Sequence, residues 1–391
     1  MSPKIRRLTM VAAGVMLAAT VAACSSSKST GTGGSGAAST QPSSSASHAT
    51  PAQLTDSLSQ QQARATGVTV DTTKFKKAGP WTIATIVQGP TNGWGTLFDV
   101  TMKAELTKVG NFKAPIYTAW NFKSENQINA IDNAIAQKVD AILLTSLSRK
   151  DLAPAVDRAS KAGIPVVTCM AGTDSDNYTA DVSSDIPRQG YDSMRALAQA
   201  LNGKGNIVML NGISGVDAEV FWNSGAKAAL KEFPDIKVVS EQFGDWSAQK
   251  AGQVMDTVLT QQSQIDGVWV GGLEMGPAVI DSFKQDGRSM PVMAGTDPTN
   301  GFLRTAQASN VKFQVAPFPP AAAKYCVDTV ADILSGKAVK KFTNVVGLLP
   351  GSEPYGNDQA SQWFVPQLND DFIGPELLTQ QEYVSAGFGK K

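Results

Sequence analysis

Histidine is almost absent. The chain of 391 residues holds one, His48, and it stands in a Ser/Thr-rich stretch. The part able to fold has none, which removes histidine-ligated zinc sites, Ser-His-Asp triads and histidine general bases together. Cysteine is scarce as well. Three residues are too few for a disulfide scaffold or a cysteine-only metal site. Neither sign of charge is in excess: 34 Lys and Arg balance 34 Asp and Glu. A nucleic-acid binder normally carries a basic surplus, so that class is disfavoured. No Gly-x-x-x-x-Gly-Lys loop or Gly-x-Ser-x-Gly elbow occurs in the body. Neither a cofactor nor a metal ion is expected. Apolar residues, by contrast, make up 42% of the chain against 17% charged. That is enough for a sizeable core divided over two or three domains.

The first residues read as an address. Lys4, Arg6 and Arg7 precede an apolar run beginning at Leu8, and Val21-Ala22-Ala23 supplies small residues before Cys24. This is a secretory signal layout. The run is shorter than the roughly 20 residues a membrane-spanning helix needs. Residues 25–50 are nearly all Ser, Thr, Gly and Ala, a composition that cannot bury enough surface to fold. As a flexible coil this stretch spans roughly 28 Å, the reach of a tether.

From Trp81 onward, short β-rich runs alternate with amphipathic segments. Strands are expected at 81–87, 115–117, 140–144, 164–168, 206–210, 237–239, 267–270 and 292–294. Helices are expected between them, and a last helix and strand at 321–334 and 345–349. Such a βα rhythm means parallel sheets covered by helices on both faces. The units could close one barrel or form two open sheets. The polar interval from Ala171 to Asp185 breaks the rhythm after about four strands, which favours two open Rossmann-like sheets. Trp363, Phe364, Phe372 and Leu377 in the tail predict that it packs on the body.

Several segments carry a family likeness: Ile83 to Trp94, Asp140-Ala141-Ile142-Leu143-Leu144, Ala162-Gly163-Ile164-Pro165-Val166-Val167, the strand and loop from Asn206 to Gly212, Asp266 to Gly276, and Gly295-Thr296-Asp297. In order and spacing they resemble type I periplasmic solute-binding proteins of sugar ABC transporters, the ribose-binding-protein branch. The resemblance covers about residues 80–350. It implies two α/β lobes joined by three hinge crossovers, with ligand between them. In that pattern the first lobe is 80–183 plus 318–342, and the second is 184–317 plus 343–350. Residues 351–391 form a C-terminal extension. Cys24 resembles a bacterial lipobox cysteine. The implied organisation is a signal peptide over 1–23, a lipidated Cys24 with a linker to residue 50, and an extracytoplasmic body anchored to the cell membrane.

Ligands in open parallel sheets sit at the carboxyl ends of strands, near helix N-termini. A sugar offers hydroxyl edges and apolar C–H faces, which suit carboxylates, amides and indoles. Physics and resemblance together nominate Asn92, Trp94, Trp120, Trp222, Trp246, Glu274 and Asp297. Each also has a structural reading: Asp297 as a helix cap before Pro298, Asn92 as a turn residue, Trp222 as interlobe packing. Trp81 and Trp269 are expected in the core. The chain departs from the family in three places. Cys169-Met170-Ala171 stands where many relatives have Asp-Arg, Gly271-Gly272-Leu273 replaces a usual Asp or Asn, and Ala316-Pro317 replaces a usual Gln. With no evident arginine in place, the departures point away from an ordinary aldopentose and toward a larger, less polar or acyclic polyol ligand. Cys169 and Cys326 are expected as two buried thiols rather than a bridge.

The implied function is a monomeric receptor. It captures a sugar or polyol by lobe closure and delivers it to an ABC permease, with no chemistry performed. A sensor of the same fold is one alternative. The other is a hydrolase pairing Asp297 with Glu274 or Asp217.

Overall fold

The computed structural model describes residues 51–375 and 377–390. The signal segment, Cys24 and the linker lie outside the described residues. In chain order the elements are α1 (Ser57–Ala65), β1 (Thr69–Val70), β2 (Ile83–Val87), α2 (Gly93–Val109), β3 (Ile116–Ala119), α3 (Ser124–Ala136), β4 (Ala141–Leu144), α4 (Arg149–Lys161), β5 (Val166–Cys169) and β6 (Ala180–Ser183). Then follow α5 (Ile186–Ala200), β7 (Lys204–Asn211), α6 (Asp217–Leu230), β8 (Asp235–Phe243), α7 (Ala248–Gln261), β9 (Gly267–Val270), α8 (Gly276–Gln285), β10 (Val292–Gly295), α9 (Asn300–Ala308) and β11 (Phe313–Val315). The chain ends with α10 (Ala323–Leu334), β12 (Val339–Lys340), β13 (Phe342–Asn344), β14 (Tyr355–Gly356) and α11 (Gln380–Tyr383).

Among the described residues the strands form two six-stranded sheets, β13-β6-β5-β4-β2-β3 and β14-β11-β10-β9-β7-β8, and a small pair, β1-β12. The pairing within the large sheets is parallel, except that β14 runs antiparallel to β11. Strands β2, β4, β5 and β9 are buried along their whole length. This is the consequence of helices on both faces, and it explains their continuous apolar runs. The chain passes between the sheets three times: after β6, after β11 and after β13. Each sheet is thus the core of one lobe.

Three expectations are corrected here. The interval 171–185 is not only a break, because it contains β6, the fifth strand of the first sheet. Its sequence, Ala180-Asp181-Val182-Ser183, alternates and lacks a long apolar run, so it carries little strand signal. The expected strand at 345–349 is instead β13 at 342–344, paired with β6. The last crossing therefore falls after Asn344, not at 343. Third, Cys169 and Cys326 form a disulfide with Cα atoms 6.1 Å apart. Helix α10 lies across β4, β5 and β6 and brings Cys326 to the end of β5, within the span a disulfide bridges. The two cysteines are 157 residues apart in sequence, so only the tertiary fold shows the contact.

The segment before β2 is also part of the body. Gln61 and Gln62 of α1 donate to the carbonyls of Thr173 (2.7 Å) and Ser184 (3.2 Å). At the other end, Phe372, Tyr383 and Phe388 are buried together, with ring centroids 5.0 and 6.2 Å apart.

Helices α5 and α6 pack extensively against each other, and two glycines permit it. A Cβ on Gly225 would sit 1.8 Å from the Pro187 carbonyl oxygen, and one on Gly190 would sit 2.0 Å from that of Trp222. Backbone meets backbone here, so no side chain can yield. Gly225→Ala is expected to cost about 1–3 kcal/mol through overpacking, read as a lower urea midpoint with an unchanged slope. An unchanged midpoint would show that the helices part without cost.

Candidate functional site

Between the lobes lies a cavity of about 50 Å³. All seven residues nominated from the sequence line it: Asn92, Trp94, Trp120, Trp222, Trp246, Glu274 and Asp297. Each reaches it from the carboxyl end of a strand or from the first turns of the following helix. Asn92 caps α2 and accepts from Gly95 N–H (2.9 Å) and Gln88 Nε2 (3.0 Å). The strand ends turn sharply to aim side chains inward. Met170 (φ 74°), Trp246 (φ 54°) and Asp297 (φ 50°) are all left-handed, at a cost of roughly 1–2 kcal/mol each. Such strain clusters where side-chain placement matters more than local stability.

The four indoles are oriented by their N–H groups. Trp94 donates to the Phe318 carbonyl (2.8 Å), Trp120 to Thr145 Oγ1 (3.1 Å), Trp222 to Gln189 Oε1 (3.2 Å) and Trp246 to the Gly271 carbonyl (2.6 Å). Phe318, on the second crossing, stacks on Trp94 at 5.4 Å and meets Trp222 edge-on at 5.1 Å. Its own N–H donates to Asp297 Oδ1 (3.2 Å). Asp297 is therefore not a helix cap; Thr299 caps α9.

No Lys or Arg is among the cavity-lining residues, which disfavours an anionic ligand. The acids are conspicuous by contrast. Glu274 Oε2 and Glu219 Oε1 are buried without a hydrogen-bond partner. Burial pushes the Glu274 carboxyl up to about 8. Burial first, and the Glu274 charge second, raise Asp297 well above the usual carboxylate range. Glu219 behind them is raised by burial and by the charges of Glu274 and Glu241, although its Oε2 accepts from Gly212 N–H (2.7 Å). Buried carboxyls short of partners are costly alone and are fitted to accept from ligand hydroxyls.

Sequence reasoning missed several lining residues: Gln88, Thr145, Ser146, Met170 and Phe318. The rule that nominated Asn92 would have found Thr145 and Ser146, since both follow directly on β4. Phe318 had a weaker signal, an aromatic between prolines on a crossing. Arg149 was also unrecognised. It is buried, but it holds the cavity's wall rather than facing in. It donates to the carbonyls of Ala171 (2.9 Å) and Thr173 (3.2 Å), to Gln61 Oε1 (2.7 Å) and to Asp174 (3.0 Å). Asp217 does not line the cavity. Its carboxylate accepts from the backbone N–H of Arg149 and its N–H donates to the Leu147 carbonyl (3.1 Å), clamping the second lobe to the first.

A sequence profile described as the periplasmic binding protein domain matches residues 83–338, and the chain belongs to that family. It is 29% identical over 199 residues to the xylitol-binding protein of Mycolicibacterium smegmatis, a match covering 50% of this chain and 57% of that protein. It is 26% identical over 247 residues to the ribose import binding protein RbsB of Bacillus subtilis, covering 62% and 80%. The chain thus spans little more than half the length of the first relative. Among solved structures it is similar to a galactofuranose-binding protein (TM-score 0.65, 24% identity, 72% of this chain and 97% of that one). A solute-binding protein of Bacillus halodurans with bound myo-inositol superposes equally (TM-score 0.65, 21% identity, 73% and 98%). These structures share its two-lobed type I fold. The relatives are binding proteins, not enzymes, which sets aside the hydrolase alternative.

The raised carboxyls fix the sign of the pH dependence. An acid whose pKa is higher folded than unfolded holds its proton longer in the native state. Stability is then full below the unfolded value, near 4, and falls as pH rises toward the raised one. Thermal unfolding of the purified protein without added sugar should therefore occur at a lower temperature at pH 8 than at pH 5. Glu274→Gln should lose less over that interval than the parent protein. Parallel pH profiles for the two would contradict the burial of this carboxyl.

Proposed function

We propose that the protein is a lipid-anchored, extracytoplasmic receptor that captures a neutral sugar or polyol between its lobes and presents it to an ABC permease. The observation that carries this reading is the interlobe cavity. It combines four indoles with two buried carboxyls, Glu274 with an unpartnered oxygen and Asp297, and has no cation in its lining. Indole faces match the C–H faces of a polyol, and carboxylates and amides accept from its hydroxyls. The names of the xylitol- and ribose-binding relatives support the ligand class. The signal layout and Cys24 support the anchor. Capture works by closure, because a ligand that touches both lobes favours the closed arrangement. The clamp between Asp217 and the start of α4 joins the two lobes at one edge of the cleft.

Isothermal titration with xylitol, D-ribose, D-galactose and myo-inositol tests the reading. At least one is expected to bind. Trp246→Ala and Asp297→Ala are each expected to weaken that ligand more than tenfold while keeping the parent's far-ultraviolet circular dichroism. Parent-like affinity in both variants, or no binding by any of the four or by their glycosides, would overturn it.

A further inference from the structure

The inner cavity is small. Its accessible volume is about 50 Å³. Beside it lies a chamber of about 370 Å³. Asn92, Trp94, Trp246 and Glu274 line both spaces, so the two adjoin along these side chains. The unpartnered Oε2 of Glu274 lies at this border.

The far side of the chamber is built by the C-terminal extension, through Asn369, Asp371, Ile373, Ala386, Gly387 and Phe388. This segment lies beyond the family profile, which ends at residue 338. It is riveted to the second lobe. Asn300 donates through Nδ2 to the carbonyls of Val365 (2.8 Å) and Leu368 (3.3 Å) and accepts from Val365 N–H (3.0 Å). The N–H groups of Asn300 and Gly301 donate to the carbonyls of Phe372 (2.8 Å) and Asp370 (2.9 Å). Arg304 pairs with Asp370. Asn369 then ties the extension to itself, donating to the Gly387 carbonyl at 3.0 Å. On the other lobe the extension abuts the first turn of α2. A Cβ on Gly93 would lie 2.5 Å from the Asp371 carbonyl oxygen, so only glycine admits the extension there. The wall is a fixed one, anchored on one lobe and seated against the other.

The lining of this chamber shares two indoles with the inner cavity and is otherwise more polar. It offers the hydroxyls of Thr91 and Thr299, the carboxylate of Asp371 and the ring of Phe388, together with the second N–H of Asn369, whose amide otherwise donates to Gly387 and accepts from Asp371 N–H, and it includes no Lys or Arg. That set suits a second neutral hydroxylated unit and is ill suited to a phosphate or carboxylate end.

We propose that the chamber walled by the C-terminal extension is a second ligand subsite, and that the solute is a neutral glycoside. One hydroxylated unit occupies the inner cavity and a glycosidically linked unit occupies the outer chamber. The inference rests on the sugar or polyol reading above and adds the ligand's length and the extension's role.

Calorimetric titration with matched pairs tests it: D-galactose against lactose, D-glucitol against maltitol, and myo-inositol against galactinol. At least one glycosylated member is expected to bind ten times or more tighter than its shorter partner. Asn369→Ala should erase most of that advantage while leaving the shorter partner's affinity within about twofold. Ala386→Trp, which puts a bulky ring at the chamber lining without removing a hydrogen-bonding side chain, should do the same. Binding of a short member with no gain in its glycosylated partner would overturn the subsite and leave the receptor reading intact. A gain that survives both variants would overturn the role of the extension. Binding by neither member of any pair would remove both readings.

Discussion

Phe318 is the point through which the two lobes act on each other. It sits on the second crossing, and each of its groups is engaged. Its N–H holds Asp297 from the second lobe, and its carbonyl takes the indole N–H of Trp94 from the first. Its ring stacks on Trp94 and abuts Trp222. Next to it, the Pro317 carbonyl accepts from Gln189, which in turn receives the Trp222 indole. A single short stretch of backbone thereby fixes three of the side chains that surround the cavity. Any change of angle at that crossing moves an acid of one lobe relative to an indole of the other. The lobes need no rigid interface elsewhere to be coupled, since the binding walls themselves meet at the crossing.

That arrangement has an electrostatic cost, carried by the second lobe. Glu219, Glu274 and Asp297 gather around the ends of β9 and β10, and no cation faces them across the cavity. Left alone, buried carboxyls of this kind hold their protons. A ligand that donates hydroxyl hydrogen bonds replaces lost water and favours the ionised forms. The polarity of the solute is thus set by what the cavity lacks as much as by what it contains. The buried Arg149 does not relieve the acids. It is spent on the carbonyls of the 171–174 loop and shapes the opposite wall instead.

Much of this was legible in the sequence, for identifiable reasons. The buried strands of both sheets announce themselves as short apolar runs, and parallel sheets buried on two faces produce such runs. The rule that ligands meet strand carboxyl ends, taken together with the family resemblance, nominated seven residues that line one cavity. The failures also have causes. Strand β6 is Ala-Asp-Val-Ser and carries a polar residue into the sheet, where Asp181 is satisfied by Thr168 Oγ1 at 2.8 Å. Strand β13 borders apolar residues that proved to be loop, so its position slipped by a few residues. The Cys169–Cys326 bridge depends on α10 crossing β5, a long-range fact that no local pattern encodes. The same holds for the extension. Its aromatic residues indicated packing, but which surface it covers is decided by Asn300, Gly301 and Gly93, all distant in sequence.

The central claim is that a neutral polyhydroxylated solute occupies the cleft between the lobes, against its indoles. Trp94, Trp120, Trp222 and Trp246 all line that cleft, so tryptophan emission reports its occupancy directly. Titration of the purified protein with neutral sugars, polyols and their glycosides should give a saturable change in emission with at least one of them, at a single affinity. Emission that stays constant through a titration in which calorimetry records binding would place the solute elsewhere and contradict the account.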